Sequence, residues 1–143
     1  MSWTRNLAHG LAEHLAAAGT GVYRATGVYS DTEVGIVVGA VPTSPPRVLA
    51  LTPYPLADDV DQADSVLGLQ VRARAGADPR EALDLLDTVF DVLHGATHLD
   101  LSGALVHLIR RTASLPLGRD QNGRYEHADT YQLTAHRPTR NRG

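Results

Sequence analysis

The stretch Leu117-Gly118-Arg119-Asp120-Gln121-Asn122-Gly123-Arg124-Tyr125 is the densest polar turn in the chain. As a glycine-rich phosphate cradle it would have to feed a helix N-terminus, where orphan N–H groups and the helix dipole receive the anion. It feeds a run of period two instead: Tyr125, Tyr131, Leu133 and Ala135 fall on one face. The stretch therefore reads as a hairpin. Asp120 closes a type I turn, Gly123 takes the left-handed position of a bulged connection, and Asn122-Gly123 is itself a hairpin signal. Arg119 and Arg124 then stand at the facing ends of two strands.

Working outward, residues 105–111 and 124–136 are the two strands this hairpin joins. Residues 65–75 read as the clearest strand, because Leu67, Leu69, Val71 and Ala73 alternate with Gly68, Gln70, Arg72 and Arg74. Residues 47–52 predict another, ended by Pro53 and Pro55, and residues 22–29 a short one. Between residues 30 and 46 the apolar Ile36-Val37-Val38 looks like a strand, but it is flanked by Gly35 and Gly39 and followed by Pro42, Pro45 and Pro46, which predicts a long loop with some extended character. Residues 57–64 form an acidic loop with Asp58, Asp59, Asp61 and Asp64, and residues 96–103 a break.

Two helices are expected. The first begins after Ser2 or Thr4, carries Leu7, Leu11, Leu15 and Ala18, and stops at Gly19. The second has Asp78 as N-cap, Pro79 at N1 and Glu81 at N3, then an apolar stripe of Leu83, Leu86, Phe90 and Leu93, and ends at Gly95. Asp84, Asp87 and Asp91 fall on the other side. The order of elements predicts an α+β fold, an antiparallel sheet of about four to five strands with two amphipathic helices packed on one face.

Composition removes several classes of function. The chain has 143 residues, long enough for one domain with its own core. There is no Cys, which excludes disulfide scaffolds, thiolate zinc sites and Cys nucleophiles. All 13 basic residues are Arg, so the Gly-Lys-Ser/Thr of a P-loop is absent. A net charge of −3 gives no electrostatic footprint for nucleic acid. Residues 1–14 have no apolar core and do not read as a secretory signal. No run of apolar residues is long enough to span a membrane.

The remaining constellations are weak. His94 and His98 straddle Gly95 at a helix end, and His9 and His14 lie about 500° apart around a helix, so neither pair shares a face. An EF-hand register starting at Asp59 puts Asp64 where Gly is required and Gln70 where Glu is required. No Gly-x-Ser-x-Gly elbow occurs. No catalytic, cofactor-binding or metal-ligating set is predicted. Arg110 and Arg111, without interleaved aromatics, suit carboxylates on another protein chain better than nucleic acid.

The residues from Leu117 to Glu126, leading into a strand, resemble a C-terminal signature of small tailed-phage proteins, the minor capsid or tail terminator family. Val71-Arg72-Ala73-Arg74, then Asp78-Pro79-Arg80-Glu81-Ala82, then Leu93-His94-Gly95 are similar in order to the same family, as is Leu51-Thr52-Pro53-Tyr54. The resemblance spans roughly residues 4–136 and is poorest over 30–46. It implies a structural virion protein and no enzyme. Residues 1–136 would be one tail-terminator-like domain and 137–143 a flexible basic tail. The protein would cap the tail tube, form the surface that joins the head, and assemble as a homo-oligomer, a six-fold ring. Its partners would be the tail tube protein and head–tail connector proteins, with no membrane, no specific nucleic acid and no cofactor. It would be made in the bacterial host cytoplasm and reside at the head–tail interface. Expected inter-subunit contacts are Asp58, Asp59, Asp61, Arg110, Arg119, Asp120 and Arg124. A head-completion or connector protein stacking on the portal is the nearest alternative, and a small host ligand-binding α+β domain the alternative from another class.

Overall fold

The computed structural model describes residues 2–143. Helix α1 (Trp3–Ala17) is followed by β1 (Val22–Tyr23), β2 (Val34–Val38), β3 (Arg47–Asp58) and β4 (Asp64–Arg74). Helix α2 (Pro79–Leu93) precedes β5 (Thr97–Leu101), β6 (Ala104–Arg119) and β7 (Tyr125–His136). All seven strands join one curled, half-barrel sheet in the order β1-β2-β3-β4-β7-β6-β5.

This corrects the expected four-to-five-stranded antiparallel sheet. The sheet has seven strands and is mixed: β1 pairs with β2, and β2 with β3, in parallel, while every other neighbour is antiparallel. The missed strand β2 lies inside the predicted loop. Its two glycines have different causes: Gly39 turns the chain in the left-handed region (φ 84°), with open space around it, and Gly35 is approached closely. A Cβ on Gly35 would meet the Tyr29 ring and Pro45 Cγ at 3.1–3.3 Å. Strand β3 runs through Pro53 and Pro55 rather than ending at them. Its pairing with β2 stops at Leu51, so beyond that point β3 has only β4 beside it and proline's missing N–H leaves no gap in a ladder. Strand β5 occupies the predicted break. It returns into β6 through Ser102 (φ 53°) and Gly103 (φ 89°), two left-handed residues that make the primed turn favoured in tight hairpins.

One face of the sheet carries Leu49, Leu51, Leu67, Leu69, Val71, Tyr131, Leu133 and Ala135, all buried with residues of both helices in a single core. Helix α1 contributes Leu7, Leu11 and Leu15. Helix α2 contributes Ala82, Leu86, Val89 and Leu93, a stripe rotated from the predicted one so that Leu83 is 44% exposed. The Ser2 hydroxyl caps α1 by accepting from the Arg5 N–H, and the Asp78 carboxylate caps α2 by accepting from the Arg80 N–H.

Tyr131 is fully buried, and its hydroxyl has no hydrogen-bond partner among the described residues. Burial pushes its pKa up. An unsatisfied buried hydroxyl costs about 1–3 kcal/mol of desolvation. Tyr131→Phe keeps the ring and removes the orphan, so it should raise the urea midpoint by the equivalent of about 1 kcal/mol; a loss of stability would show that the hydroxyl is satisfied in solution.

Part of the opposite face, beside β2 and the facing ends of β3 and β4, is covered by chain rather than by helix. The loop from β2 to β3 crosses it, with Pro45 over Gly35, the cross-strand partner of fully buried Val48. Arg74 holds that loop. Its guanidinium donates to the carbonyls of Pro42 (2.6 Å), Thr43 (3.3 Å), Pro45 (2.6 Å) and Pro46 (3.0 Å), and Arg74 is only 4% exposed.

Candidate functional site

The predicted contact residues lie at opposite ends of the sheet, with one between them. Asp58, Asp59 and Asp61 sit where β3 turns into β4; Arg119, Asp120 and Arg124 sit where β6 turns into β7. In the β4–β7 register Asp64 faces His136, and Arg74 faces Glu126, so β4 runs from one end to the other. At about 3.3 Å per residue that separates the two groups by roughly 30 Å. Arg110 lies in the middle of β6, opposite Gln132, exposed and without an ion-pair partner among the described residues.

At the hairpin end much of the charge is used internally. Asp120 Oδ1 accepts from the N–H groups of Asn122 and Arg124 (both 2.9 Å), and Oδ2 accepts from Arg124 Nε (2.8 Å). Gly123 is left-handed (φ 74°), and its N–H closes the turn on the Asp120 carbonyl at 3.1 Å. Burial pushes the Asp120 carboxyl pKa up, but these hydrogen bonds outweigh it and hold it below the usual value. Arg124 also donates to the Thr43 carbonyl at 2.8 Å, tying the hairpin tip to the loop under Arg74. Arg72 pairs bidentately with Glu126. Arg119, over the Tyr125 ring at 5.9 Å, is exposed and, like the buried Arg74, has no carboxylate partner among the described residues.

At the other end the Asp59 Oδ1 accepts from the N–H groups of Asp61 (2.7 Å) and Gln62 (3.2 Å), which lowers its pKa and makes it a turn former. Arg142 reaches back over the loop. It is 9% exposed and donates to the Asp59 carbonyl, Ser65 Oγ and the Arg137 carbonyl at 2.7–3.0 Å. Its nearest approach to the Asp58 carboxylate is 3.9 Å. Asp61 is exposed and has no ion-pair partner among the described residues.

Between the ends, β6 presents an open edge. Strand β5 pairs with β6 only as far as Leu108. The end of α2 covers the next turn, with Gly95 N–H on the Ile109 carbonyl and the Arg111 N–H on His94 Nδ1. From residue 112 to 119 β6 pairs with β7 on one side and, among the described residues, with nothing on the other. All of 112–119 is exposed, including Leu115 (60%) and Leu117 (39%). Bulges between Arg111 and Ala113 and between Pro116 and Gly118 twist this segment.

Two side-chain groupings were not foreseen. Ser114, His127 and Asp129 meet across β6 and β7, but the serine hydroxyl bonds both the imidazole (2.8 Å) and the carboxylate. A nucleophilic triad needs the carboxylate on the imidazole, to orient it. Asp129 is turned to Ser114 and to Arg111 instead, and Arg111 lies over the Phe90 ring at 4.3 Å. The second grouping is Asp64 with His107 and His136, at the acidic end. No spacing in the sequence flags it, because the three residues come from three strands and a bulge at His107 decides which face that ring joins.

A family model for the bacteriophage tail terminator protein matches residues 14–137. A search of curated proteins finds no match. The match covers most of the chain, including both ends of the sheet and the open β6 edge, and the chain belongs to the bacteriophage tail terminator family. It is thus a structural virion protein that interacts with tail and head components. No helix is long and apolar enough to cross a membrane.

Proposed function

We propose that the chain assembles into a homo-oligomeric ring, six-fold, that caps the finished tail tube, stops its polymerisation and offers the joining surface to the head. The ring would therefore sit at the head–tail interface of the virion. The observation that carries this reading is the unpaired edge of β6 over residues 112–119. An unpaired edge with exposed leucines is a template for another strand, and soluble proteins normally blunt it.

The occupant we infer is a second copy. A ring needs two different complementary patches on each subunit, and the sheet ends in two different edges. At its far side β1 covers β2 only at Gly35 and Ile36, leaving Val37 and Val38 without an outer strand neighbour among the described residues, and Val38 is 44% exposed. Pairing the β6 edge of one copy with the β2 edge of the next would continue the sheet around the ring. Asp58 and Asp61 at one end, Arg119 at the other and Arg110 between them supply charges for contacts with neighbouring rings or partners. Asp59, Asp120 and Arg124 serve those surfaces by shaping the two turns.

Light scattering on the purified protein, alone and with isolated tail tubes, tests the ring. Wild-type chains should reach six times the 15.3 kDa chain mass, at least on the tubes. Leu115→Glu with Leu117→Glu should return the mass to a single chain while the circular dichroism spectrum is unchanged, since both side chains are solvent-exposed. A ring that survives the double substitution would remove the β6 edge from the interface.

A further inference from the structure

We propose that Asp64, His107 and His136 form a binding site for a divalent transition-metal ion of zinc's class. Each residue comes from a different strand. Asp64 begins β4, His136 ends β7 as its direct cross-strand partner, and His107 is the bulged residue between Val106 and Leu108 of β6. The register of the sheet therefore fixes their relative positions.

The geometry is close to what such an ion requires. His107 Nε2 is 3.3 Å and His136 Nδ1 3.6 Å from Asp64 Oδ1, and the three ligand atoms all lie within 4.8 Å of one another. Tetrahedral zinc, with bonds of about 2.0–2.2 Å to nitrogen and oxygen, places neighbouring ligand atoms about 3.3–3.6 Å apart. Two of the three spacings already agree, and the third, between the imidazoles, is within 4.8 Å, with the exposed His107 ring free to adjust. Two imidazoles and one carboxylate select zinc, cobalt or nickel over magnesium or calcium, which prefer all-oxygen shells. Water would fill the remaining position.

Asp64, like Asp61, has no arginine within ion-pair distance among the described residues, whereas several other carboxylates do. Glu33, Asp78, Asp120, Glu126 and Asp129 each lie within ion-pair distance of an arginine. Among the described residues Asp64 has only the two imidazoles. Arg142, bonded to the adjacent Ser65, spends its other donors on Asp59 and Arg137. An ion here would clamp β4, β6 and β7 at the acidic end, whether or not the chain forms a ring.

The test is calorimetric titration of Zn²⁺ into the full chain, prepared without a histidine tag. Wild type should bind one equivalent. His107→Ala and His136→Ala should each weaken binding by more than about tenfold, the least that loss of even an outer-shell partner costs. His98→Asn, which removes an imidazole elsewhere and tolerates the left-handed backbone at that position (φ 54°), should leave binding unchanged. The two alanine variants should keep wild-type circular dichroism. No binding by the wild type, or binding equal in the His107→Ala/His136→Ala double variant, would overturn the site.

Discussion

Arg74→Ala should lower the free energy of unfolding by about 3–5 kcal/mol, the largest single-residue effect expected outside the hydrophobic core. Hydrogen bonds to a charged group contribute about 1.5–3 kcal/mol each, and leaving their partners buried and unmatched costs more than the bonds themselves. Arg74 donates to four carbonyls of one loop while almost fully buried. Burial, with the Arg124 charge next to it, pulls its pKa down. An arginine nevertheless stays charged in a protein, and those carbonyls are what compensate the charge. The loss does not reach the sum of four bonds, because the loop can lift and wet its carbonyls. Arg74→Lys should recover little, since a compact ammonium cannot span carbonyls on both sides of a planar fork. Urea unfolding gives the magnitude. Hydrogen exchange gives the location: amides of Val48 and Ala50, under the loop, should exchange faster. A stability within 1 kcal/mol of wild type would mean that the loop is not held this way.

Gly10→Ala should destabilise by about 1–3 kcal/mol, against the sign that helix propensity alone gives. In an exposed helix interior Ala is better than Gly by about 1 kcal/mol. Gly10 is buried in α1, and a Cβ there would come within 2.6 Å of the Leu101 carbonyl carbon and 2.8 Å of its Cα and Cβ. Backbone cannot rotate away as a side chain can, so α1 must move off β5, and overpacking of that kind costs 1–3 kcal/mol or more. Thermal unfolding of Gly10→Ala beside Ala17→Gly separates the two effects. The second variant reports propensity at an exposed site, the first reports the helix–strand approach. An increase in stability for Gly10→Ala would contradict the packing of α1 on β5.

How far the fold was legible depended on whether the deciding contacts were local. The β6–β7 hairpin could be read because Asn122-Gly123 and the period-two run of β7 are both local signals. So could α2, whose cap and proline lie within four residues of each other. Strand β2 could be read only as some extended character in a loop: it is short, parallel and set among prolines, a closely approached Gly35 and a left-handed Gly39. The length of β6 could not be read. Its last residues include Pro116 and Gly118, which read as breakers and are tolerated because the strand's outer edge is free there. The predicted stripe of α2 was rotated because Ala82 and Val89 face the sheet, and small or branched residues weigh little beside Leu83 in a periodicity count.

The contact residues were legible as charges but not as partners. The sequence does not tell Asp61 and Arg119, which have no ion-pair partner among the described residues, from Asp59, Asp120 and Arg124, which are occupied within their own turns. That division depends on turn geometry within a few ångströms. Arg74 and Arg142 were invisible for the opposite reason. Arginine is expected at the surface, and only the fold reveals that these two guanidiniums are buried against carbonyls.

The most direct measurement of the central proposal is tail length in electron micrographs of particles made without this protein, complemented by wild type or by the Leu115→Glu/Leu117→Glu variant. Without the protein, and with the variant, heads should accumulate beside overlong, unattached tails, and wild type should restore tails of uniform length joined to heads. Normal-length tails in its absence would contradict a terminator that acts by capping the tube.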